Sequence, residues 1–355
     1  MTRTLAAFSA AIALAAMSAG AARPQAEVNP PFADSFAPLD AYAQTATMHR
    51  GMNVLGFDPM WDDPARARFK MEYFGKLRDA GFDTVRLVLK PFDHMDASDN
   101  IDSAWLATLD RVLMSALAAG LTPIVDLHYN NECGDDAALC EHKVLAFWRQ
   151  IAPRYRNAPA RVVFEILNEP HGVLTAPVWN NLMHKALAVI RESNPERNVI
   201  VGPAGWNSID QLPDLELPTE DQHIIATVHY YWPMTFTHQG APWVKETKNL
   251  SGITWGTAAD WQKLYRNFDG VKAWSDAHHR PIFLGEFGAY DKGDLASRMR
   301  YDNYVARAAE AHGFPWAYWQ FDSDFIAYDI DHDRWVEPIL ESLIPPGGTR
   351  TSSAP

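Results

Sequence analysis

Two glutamates occupy matching positions in this 355-residue sequence, each at the end of an apolar, strand-like run. Glu169 ends the run 161–169, and Pro170 then stops the strand because proline cannot donate to a hydrogen-bond ladder. Glu286 ends a second run, 282–286, among small residues that let another group approach closely. Two carboxyl groups facing one cleft can share the work of glycoside hydrolysis. One protonates the leaving oxygen, and the other attacks the anomeric carbon or activates water.

The elements that must position these carboxyls alternate regularly along the chain. From about residue 48, apolar β-branched runs are followed by amphipathic helical patterns, which is typical of βα units and a parallel sheet. Strands are predicted over residues 49–55, 83–89, 122–128, 161–168, 198–202, 223–230, 281–286 and 315–320. Helices are predicted over residues 64–80, 103–119, 142–156, 177–193, 258–278 and 295–312. Eight such units predict an α/β fold, a single-domain (β/α)8 TIM barrel.

An open, doubly wound sheet is the alternative fold. It requires a glycine-rich phosphate turn after the first strand, and residues 52–56 do not form one. In a barrel the active site lies at the carboxyl ends of the strands, and polar residues collect at those ends here. Strict strand alternation places Glu165 and Glu169 on one face and Asn168 on the other. We expect Glu165, which lies deeper, to form a buried ion pair rather than take part in catalysis.

Over residues 46–344 the chain resembles glycoside hydrolase family 5, the retaining cellulase type, most clearly in Asn168-Glu169-Pro170 and the segment 285–288. The resemblance implies that Glu169 and Glu286 are catalytic, as acid and nucleophile. It also implies a substrate-binding set of Arg86, His128, Asn168, His229, Tyr231 and Trp319. Asn168 would bond the sugar 2-hydroxyl and Trp319 would stack on the sugar at the cleaved bond. No cofactor and no metal are implied.

Chemistry assigns further roles to this set. The acid must hold its proton near neutral pH, which requires a pKa raised by burial or by a nearby like charge such as ionised Glu286. Glu286 must stay ionised, and we expect Arg86 to hold it so while Tyr231 fixes its orientation. His128 and His229 are either direct contributors or supports behind the site.

The function predicted by this resemblance is hydrolysis of β-1,4-glucan by an endo-acting glucanase using double displacement. A β-mannanase, a xyloglucanase or an exo-β-glucanase of the same family remains an alternative, because loop lengths decide among them. A sugar-binding barrel without catalysis is the alternative from another class, and the presence of both glutamates argues against it.

Charge narrows the possible partners. The chain has 31 basic and 44 acidic residues, a net charge of −13, which repels nucleic acid and anionic membrane surfaces. A neutral β-glucan polysaccharide or oligosaccharide is compatible with this charge, and we expect a monomer. Five tryptophans, at positions 206, 232, 243, 255 and 261, are assigned either to core packing or to additional sugar contacts.

The chain ends predict export. Residues 1–21 have the basic start, apolar run and small-residue cleavage site of a secretory signal peptide, and the apolar run is shorter than the ~20 residues of a membrane span. A retained membrane anchor is the alternative. Residues 22–45 are predicted to be a loosely packed N-terminal tether, and residues 345–355 a flexible tail. The protein is therefore expected to be secreted, either extracellular or periplasmic.

The two cysteines and a run of aspartates are assigned structural rather than catalytic roles. Cys133 and Cys140 lie in one predicted loop, 130–141, and an oxidising compartment lets them pair as a disulfide. The aspartates between residues 322 and 333 lack the spacing of a calcium loop, so we expect a solvated cleft wall rather than an ion site.

Overall fold

The computed structural model of the protein describes residues 32–33, 35–128 and 131–345. The predicted signal peptide 1–21 lies outside the described residues, as do residues 22–31 of the predicted tether and residues 346–355 of the predicted tail. None of the described helices is both long and apolar enough to cross a membrane.

A closed barrel of eight parallel strands forms the centre of the protein. The strands are β1 (Arg50–Val54), β2 (Thr84–Leu89), β3 (Thr122–Leu127), β4 (Val163–Glu165), β5 (Val199–Val201), β6 (Ile224–Tyr230), β7 (Ile282–Phe287) and β8 (Trp316–Tyr318). Each strand pairs with the next along the chain, and β1 closes the barrel against β8. The predicted (β/α)8 fold is confirmed.

Helices fill the connections between the strands. They are α1 (Ala41–Thr45), α2 (Tyr73–Ala80), α3 (Ser103–Ala118), α4 (Asn131–Asp135), α5 (Ala137–Arg154), α6 (Ala176–Arg191), α7 (Met234–Thr237), α8 (Ala258–His278), α9 (Leu295–Ala311) and α10 (Glu337–Leu343). Short 3-10 turns cover Pro59–Trp61, Pro64–Arg66, Phe92–His94, Ile209–Asp214 and Ile330–His332. Side-chain caps fix several helix starts, as where Asp102 accepts the main-chain N–H groups of Ala104 and Trp105.

Two predicted helices have different boundaries in the structure. The predicted helix 64–80 is wrong over its first half, because the Asp58 carboxylate accepts the main-chain N–H groups of Arg68 and Phe69 and keeps that segment out of a helix. The predicted helix 142–156 begins earlier, at Ala137, because Asp136 caps this helix by accepting from the next N–H groups.

The floor of the barrel is a small apolar layer at the amino ends of the strands. It consists of Ala41, Met48, Ile124, Val163, Ile200, Ile225, Phe283 and Ala317. Ala41 belongs to α1, so the last residues of the segment predicted as a loose tether instead close this end of the barrel. Asp40 caps α1, and Ala41 is only 2 % exposed. Burial of an apolar surface, which the proline-rich and alanine-rich composition did not indicate, holds this segment in place.

Cys133 and Cys140 form the predicted disulfide, with their Cα atoms 4.5 Å apart. The prediction that both lie in one loop is wrong, since Cys133 is on α4 and Cys140 is on the first turns of α5. Both sulfurs belong to buried residues, so the bridge packs against the outer core rather than facing solvent.

The acidic run near residue 330 forms a two-stranded ribbon, β9 (Tyr328–Asp329) with β10 (Arg334–Trp335). Its aspartates make exposed ion pairs across to the neighbouring α2 region. Asp331 lies 2.8 Å from Arg68 Nη2, and Asp333 lies 2.8 Å from Lys76 Nζ. Asp331 and Asp333 are exposed, as expected for solvated side chains, whereas Asp322, Asp324 and Asp329 are partly buried.

Candidate active site

Arg86 is the buried centre of the polar cluster at the carboxyl end of the barrel. Its side chain, on β2, is fully buried and donates through all of its nitrogens. Nε and Nη2 form a bidentate pair with Glu165 at 2.7 and 2.8 Å, and Nη1 donates to Glu286 at 2.7 Å. The expected buried ion pair of Glu165 is present, and its partner is Arg86.

Three more residues complete the surroundings of Arg86. Nη2 donates to Asn168 Oδ1 at 2.7 Å, and Nη1 donates to Asn53 Oδ1 at 3.0 Å. Asp126 Oδ2 lies 3.1 Å from Nη2. Burial raises the pKa of Asp126 to about 7, against the opposing attraction of Arg86. One guanidinium therefore faces three carboxyl groups, and its fork geometry holds two of them at fixed angles.

The carboxylate of Glu286 is anchored from two sides. It lies on β7 with only 5 % of its side chain exposed. Besides the bond from Arg86, the hydroxyl of Tyr231 donates to Oε2 at 2.9 Å. Both contacts are those expected from the sequence. Gly285 makes room beside it, because a Cβ at that position would lie 2.8 Å from the ring of His229.

Glu169 is held in a different way. It lies beyond the end of β4 with a positive φ of 45°, a conformation that few residues other than glycine adopt. The described residues give its side chain one hydrogen bond, from His229 Nδ1 to Oε1 at 2.8 Å. Its side chain is 16 % exposed, three times the fraction for Glu286.

The two glutamates are close enough to titrate together. One oxygen of Glu169, one of Glu286 and a ring nitrogen of His229 all lie within 4.8 Å of one another. Burial raises the pKa of Glu169 to about 7 and that of Glu286 to about 7, so desolvation opposes the ionised state of Glu286 that Arg86 was expected to maintain. In such a pair the first proton goes to the carboxyl with the weaker cationic and donor support, which is Glu169.

His229 is neutral and its tautomer is fixed. Burial lowers its pKa to about 4. Nδ1 carries the hydrogen, because it faces the oxygens of Glu169 at 2.8 Å and Glu286 at 3.6 Å. Nε2 then accepts from Asn207 Nδ2 at 3.3 Å. Two carboxylates and an imidazole are also donors that transition metals accept, so this trio is the group among the described residues that could hold a metal ion.

His128 connects the Arg86 cluster to the ring of Trp319. Its Nδ1 lies 2.8 Å from Asp126 Oδ2, and its Nε2 accepts from Asn168 Nδ2 at 3.2 Å. Burial and the nearby Arg86 charge lower its pKa well below the usual range. Its ring stacks on Trp319, with centroids 5.3 Å apart and planes 14° apart. The peptide bond from Trp319 to Gln320 is cis.

The structure thus brings together all eight residues predicted from the sequence. The set is Arg86, His128, Asn168, Glu169, His229, Tyr231, Glu286 and Trp319. The predicted face of Asn168 is wrong. Because β4 ends at Glu165, strict alternation stops there, and Asn168 turns inward to meet the same guanidinium as Glu165.

Three residues of the cluster were missed by the sequence analysis. Asn53 and Asp126 are polar residues within apolar strand runs, and that interruption was a signal of an inward polar network. Asn207 lies in the loop after β5 with a φ of 53°. Its main-chain carbonyl accepts a hydrogen bond from the main-chain N–H of His229. Its position after a strand end is the one sequence feature that could have indicated it.

Solvent exposure divides the five tryptophans that the sequence assigned either to core packing or to additional sugar contacts. Trp255 is 3 % exposed and belongs to the core, and Trp261 stacks on Tyr304. Trp206, Trp232 and Trp243 are 55 %, 43 % and 51 % exposed. These three present flat apolar surface to solvent on loops that follow β5 and β6, where sugar rings can stack.

Comparison with known proteins identifies the family. Residues 40–324 match the family described as Cellulase, glycosyl hydrolase family 5. The chain belongs to glycosyl hydrolase family 5. Endoglucanase H of Acetivibrio thermocellus is 30 % identical over 323 residues, a match that covers 87 % of this chain and 34 % of that protein. Cellulase/esterase CelE of the same organism is 26 % identical over 73 % of this chain and 33 % of its own length. This family 5 chain therefore spans about a third of the length of these curated relatives.

Solved family 5 structures match over nearly their whole length. Thermotoga maritima Cel5A, in complex with cellobiose, is 36 % identical with a TM-score of 0.82, covering 86 % of this chain and 100 % of that one. The same protein has been solved with mannotriose, with equal identity and TM-score. The clostridial cellulose synthase subunit Z of Clostridioides difficile is 34 % identical, with a TM-score of 0.79 over 84 % of this chain and 99 % of that one. The family resemblance predicted from the sequence is confirmed.

Proposed function

We propose that this family 5 protein is a retaining β-glycanase that cleaves β-1,4-glucan at bonds inside the polysaccharide. The observation that carries the proposal is the pair Glu169 and Glu286, whose carboxyl oxygens approach within 4.8 Å in unequal surroundings. Retaining glycosidases place the two carboxyl groups roughly 5 Å apart, whereas inverting enzymes leave about 6.5–9.5 Å for a water molecule. The short separation therefore supports double displacement.

In the first step Glu286 attacks the anomeric carbon while Glu169 gives its proton to the departing glycosidic oxygen. Glu286 is oriented for this attack by Arg86 at 2.7 Å and Tyr231 at 2.9 Å. Glu169 keeps its proton near neutral pH because burial raises its pKa to about 7.

In the second step the ionised Glu169 takes a proton from water while the water oxygen attacks the anomeric carbon. The bond from that carbon to the Glu286 oxygen breaks, which frees the sugar and restores the Glu286 carboxylate. Glu169 is thereby protonated again. Neutral His229 suits both steps. A protonated imidazole at that position would hold the Glu169 carboxyl ionised, whereas the neutral ring donates one hydrogen bond from Nδ1 in both states. Asn168 would bond the sugar 2-hydroxyl in this mechanism, and its hydrogen bond from Arg86, which fixes its orientation, supports that role.

The choice of substrate rests on the relatives. Endoglucanase names among the curated relatives support glucan, and the cellobiose and mannotriose complexes of Cel5A support a β-mannan as the second candidate. Trp206, Trp232 and Trp243 supply exposed stacking surface on the loops that follow β5 and β6. A reducing-sugar assay over cellulose, mixed-linkage glucan, xyloglucan and mannan ranks these substrates. Absence of product from every polysaccharide would favour the non-catalytic sugar-binding barrel.

The acid role is tested by Glu169→Gln. On polysaccharide its kcat should fall by about 10²- to 10⁴-fold, the usual contribution of general acid catalysis. On an aryl glycoside with an activated phenol, glycosylation should be nearly unaffected, because that leaving group needs no proton. Equal losses of kcat/KM, which reports the glycosylation step, on both substrates would remove Glu169 from the acid role. The kcat on the activated substrate also includes the second step, in which Glu169 is the base. Retention is checked separately by NMR of the first-formed product, and an inverted anomer would contradict double displacement.

Export and a monomeric state complete the proposal. The signal-like residues 1–21 and the Cys133–Cys140 disulfide support secretion, because disulfides persist in oxidising compartments. Intact-mass analysis of protein recovered from periplasm and medium should show cleavage near residue 21. Light scattering on that material should give the mass of one chain.

A further inference from the structure

We propose that His171 is a positioning residue for the acid Glu169 and for the exposed ring of Trp206, and that the Cys133–Cys140 disulfide sets the position of His171. The inference rests on the proposed function, since it assigns a task to the loop that carries the acid. It concerns the loop 169–174, where the chain leaves β4.

The first contact joins His171 to the backbone of Glu169. Nδ1 of His171 lies 2.7 Å from the Glu169 carbonyl oxygen, so Nδ1 carries the hydrogen and donates it. Glu169 has a φ of 45°, and such a conformation persists in a residue with a side chain when its surroundings hold it. The His171 bond is one of those restraints. It fixes the peptide that orients the Glu169 side chain.

The second contact joins His171 to Trp206. The two rings stack with centroids 4.7 Å apart and planes 12° apart. The main-chain N–H of Trp206 also donates to the Pro170 carbonyl at 3.2 Å. Trp206 is 55 % exposed, so one face of its ring rests on His171 while the rest is open to solvent. The next residue, Asn207, supports His229, which binds Glu169 from the other side.

The third contact connects His171 to the disulfide. A Cβ added to Gly134, the residue after Cys133, would lie 2.6 Å from His171 Nε2. A Cβ added to Gly172, whose φ is 63°, would lie 2.2 Å from the Gly134 carbonyl oxygen. The same oxygen accepts the Val173 N–H at 2.9 Å. The acid loop therefore lies directly on the short helix α4, without side chains between the two backbones.

The disulfide is what fixes α4 against the longer α5. The bridge spans a separation of seven residues, and both cysteines are buried. A five-residue helix has little stability of its own. Loss of the bridge lets α4 move, and with it the surface on which His171 and Gly172 rest. The consequence is a change at the acid and at Trp206 rather than a loss of the barrel.

Two substitutions of His171 separate its two contacts. His171→Phe keeps a flat ring for Trp206 but removes the N–H to Glu169. It should lower kcat on polysaccharide about tenfold, because misplacement of a catalytic group by ~1 Å can cost up to 10²-fold. The kcat/KM for an activated aryl glycoside should be nearly unchanged. His171→Asn keeps a donor but removes the ring. It should raise the polysaccharide KM several-fold with a smaller loss of kcat.

Two further variants complete the experiment. His184→Phe is the matched control, because His184 also bonds a main-chain carbonyl, at 2.9 Å, but is exposed on α6 outside the cleft. It should leave all kinetic constants unchanged. The double variant Cys133→Ser with Cys140→Ser should show both the lower kcat of His171→Phe and the higher KM of His171→Asn. Its loss of substrate affinity should be the main effect, and its fall in melting temperature the lesser one.

The outcomes distinguish this inference from the proposed function. Glu169→Gln assayed alongside must separate activated from unactivated leaving groups, and if it does not, the acid assignment itself fails. If Glu169→Gln does separate them, equal losses on both substrates for His171→Phe and an unchanged KM for His171→Asn would overturn the positioning role. Cysteine variants with wild-type kinetics would overturn the part assigned to the disulfide. Should His171→Phe not fold, His171→Asn and the cysteine pair still decide the question.

Discussion

The two glutamates of this cleft are supported by different kinds of structure. Glu286 lies within a strand, β7, and receives hydrogen bonds from Arg86 and Tyr231. Glu169 lies in a loop beyond β4, at a positive φ, and its side chain is bonded by the neutral His229. The proposed nucleophile must stay ionised and in one position. Strand β7 fixes the position of Glu286, and the Arg86 guanidinium on β2 favours its ionised form. An acid must lose and regain a proton, and a neutral partner at a loop permits both states.

Burial raises the pKa of both glutamates. Desolvation raises the pKa of both carboxyls to about 7, so neither environment alone sets the roles. The difference lies in the partners. Arg86 stabilises the charged form of Glu286 directly, whereas nothing of fixed positive charge bonds Glu169 among the described residues.

Removal of the proposed nucleophile, Glu286, should abolish turnover for every leaving group. Glu286→Gln is expected to lower kcat by about 10⁴-fold or more on both activated and unactivated substrates, because no covalent intermediate can form. Binding of cellotetraose, measured by calorimetry, should persist, because the amide fills the same space. Substantial turnover of the activated glycoside by this variant would place the nucleophile elsewhere.

Removal of the buried cation should cost stability as well as activity. Arg86→Met leaves Glu165, Asp126 and Glu286 without their shared partner and should lower the free energy of unfolding by about 3–5 kcal/mol. Urea unfolding measures the change. Arg68→Met is the matched control, since Arg68 and its partner Asp331 are 50 % and 75 % exposed. That pair should contribute under about 1 kcal/mol. Similar losses for both variants would contradict the central position given to Arg86.

The raised pKa of Glu169 predicts a pH-dependent effect of Glu169→Gln on stability. The folded pKa of about 7 exceeds the unfolded value, so wild-type stability from this group is present at low pH and is lost as pH rises through about 7. Glutamine does not ionise. The variant should therefore gain stability over wild type between pH 5 and pH 8, as measured by urea unfolding at each pH. A difference that stays constant with pH would show that the carboxyl titrates normally.

The smallest effect is expected from Tyr231→Phe. The tyrosine donates to Glu286 and lowers its pKa, so its removal should raise that pKa and move the acidic limb of the kcat/KM profile to higher pH. A lost hydrogen bond to a charged group is worth about 1.5–3 kcal/mol, and activity near neutral pH should fall by roughly tenfold or more. An unshifted acidic limb would mean that Arg86 alone sets the charge of the nucleophile.

The sequence predicted the barrel because strand and helix periods alternate strongly. The eight candidate site residues came from the family resemblance, and the structure brings them together at one end of the barrel. Its errors have physical causes. The helix predicted over 64–80 fails where the Asp58 side chain competes for main-chain N–H groups, a contact that periodicity does not reveal. Asn168 was assigned to the wrong face because strand geometry was extended past Glu165.

The supports of the acid were the least predictable part. Asn207 acts on Glu169 through His229, and His171 acts through a main-chain carbonyl. The first contact joins the loop after β5 to strand β6, which no spacing along the chain indicates. His171 and Glu169 are two residues apart in one loop, and their contact depends on the turn that this loop makes. The contact of Gly134 with His171 likewise depends on where α4 packs, which local patterns do not specify.

Helix α1 closes the amino end of the barrel, and the chain that precedes α1 also contacts the barrel at that end. The carbonyl of Leu39 accepts from Asn198 Nδ2 at 2.9 Å and lies 3.0 Å from His223 Nδ1, immediately before β5 and β6. Chain that precedes residue 39 therefore reaches the barrel at the end opposite the two glutamates. A surface, carrier or fused module joined there would leave the cleft pointing outward, so immobilisation through this end should not obstruct entry of a long polymer.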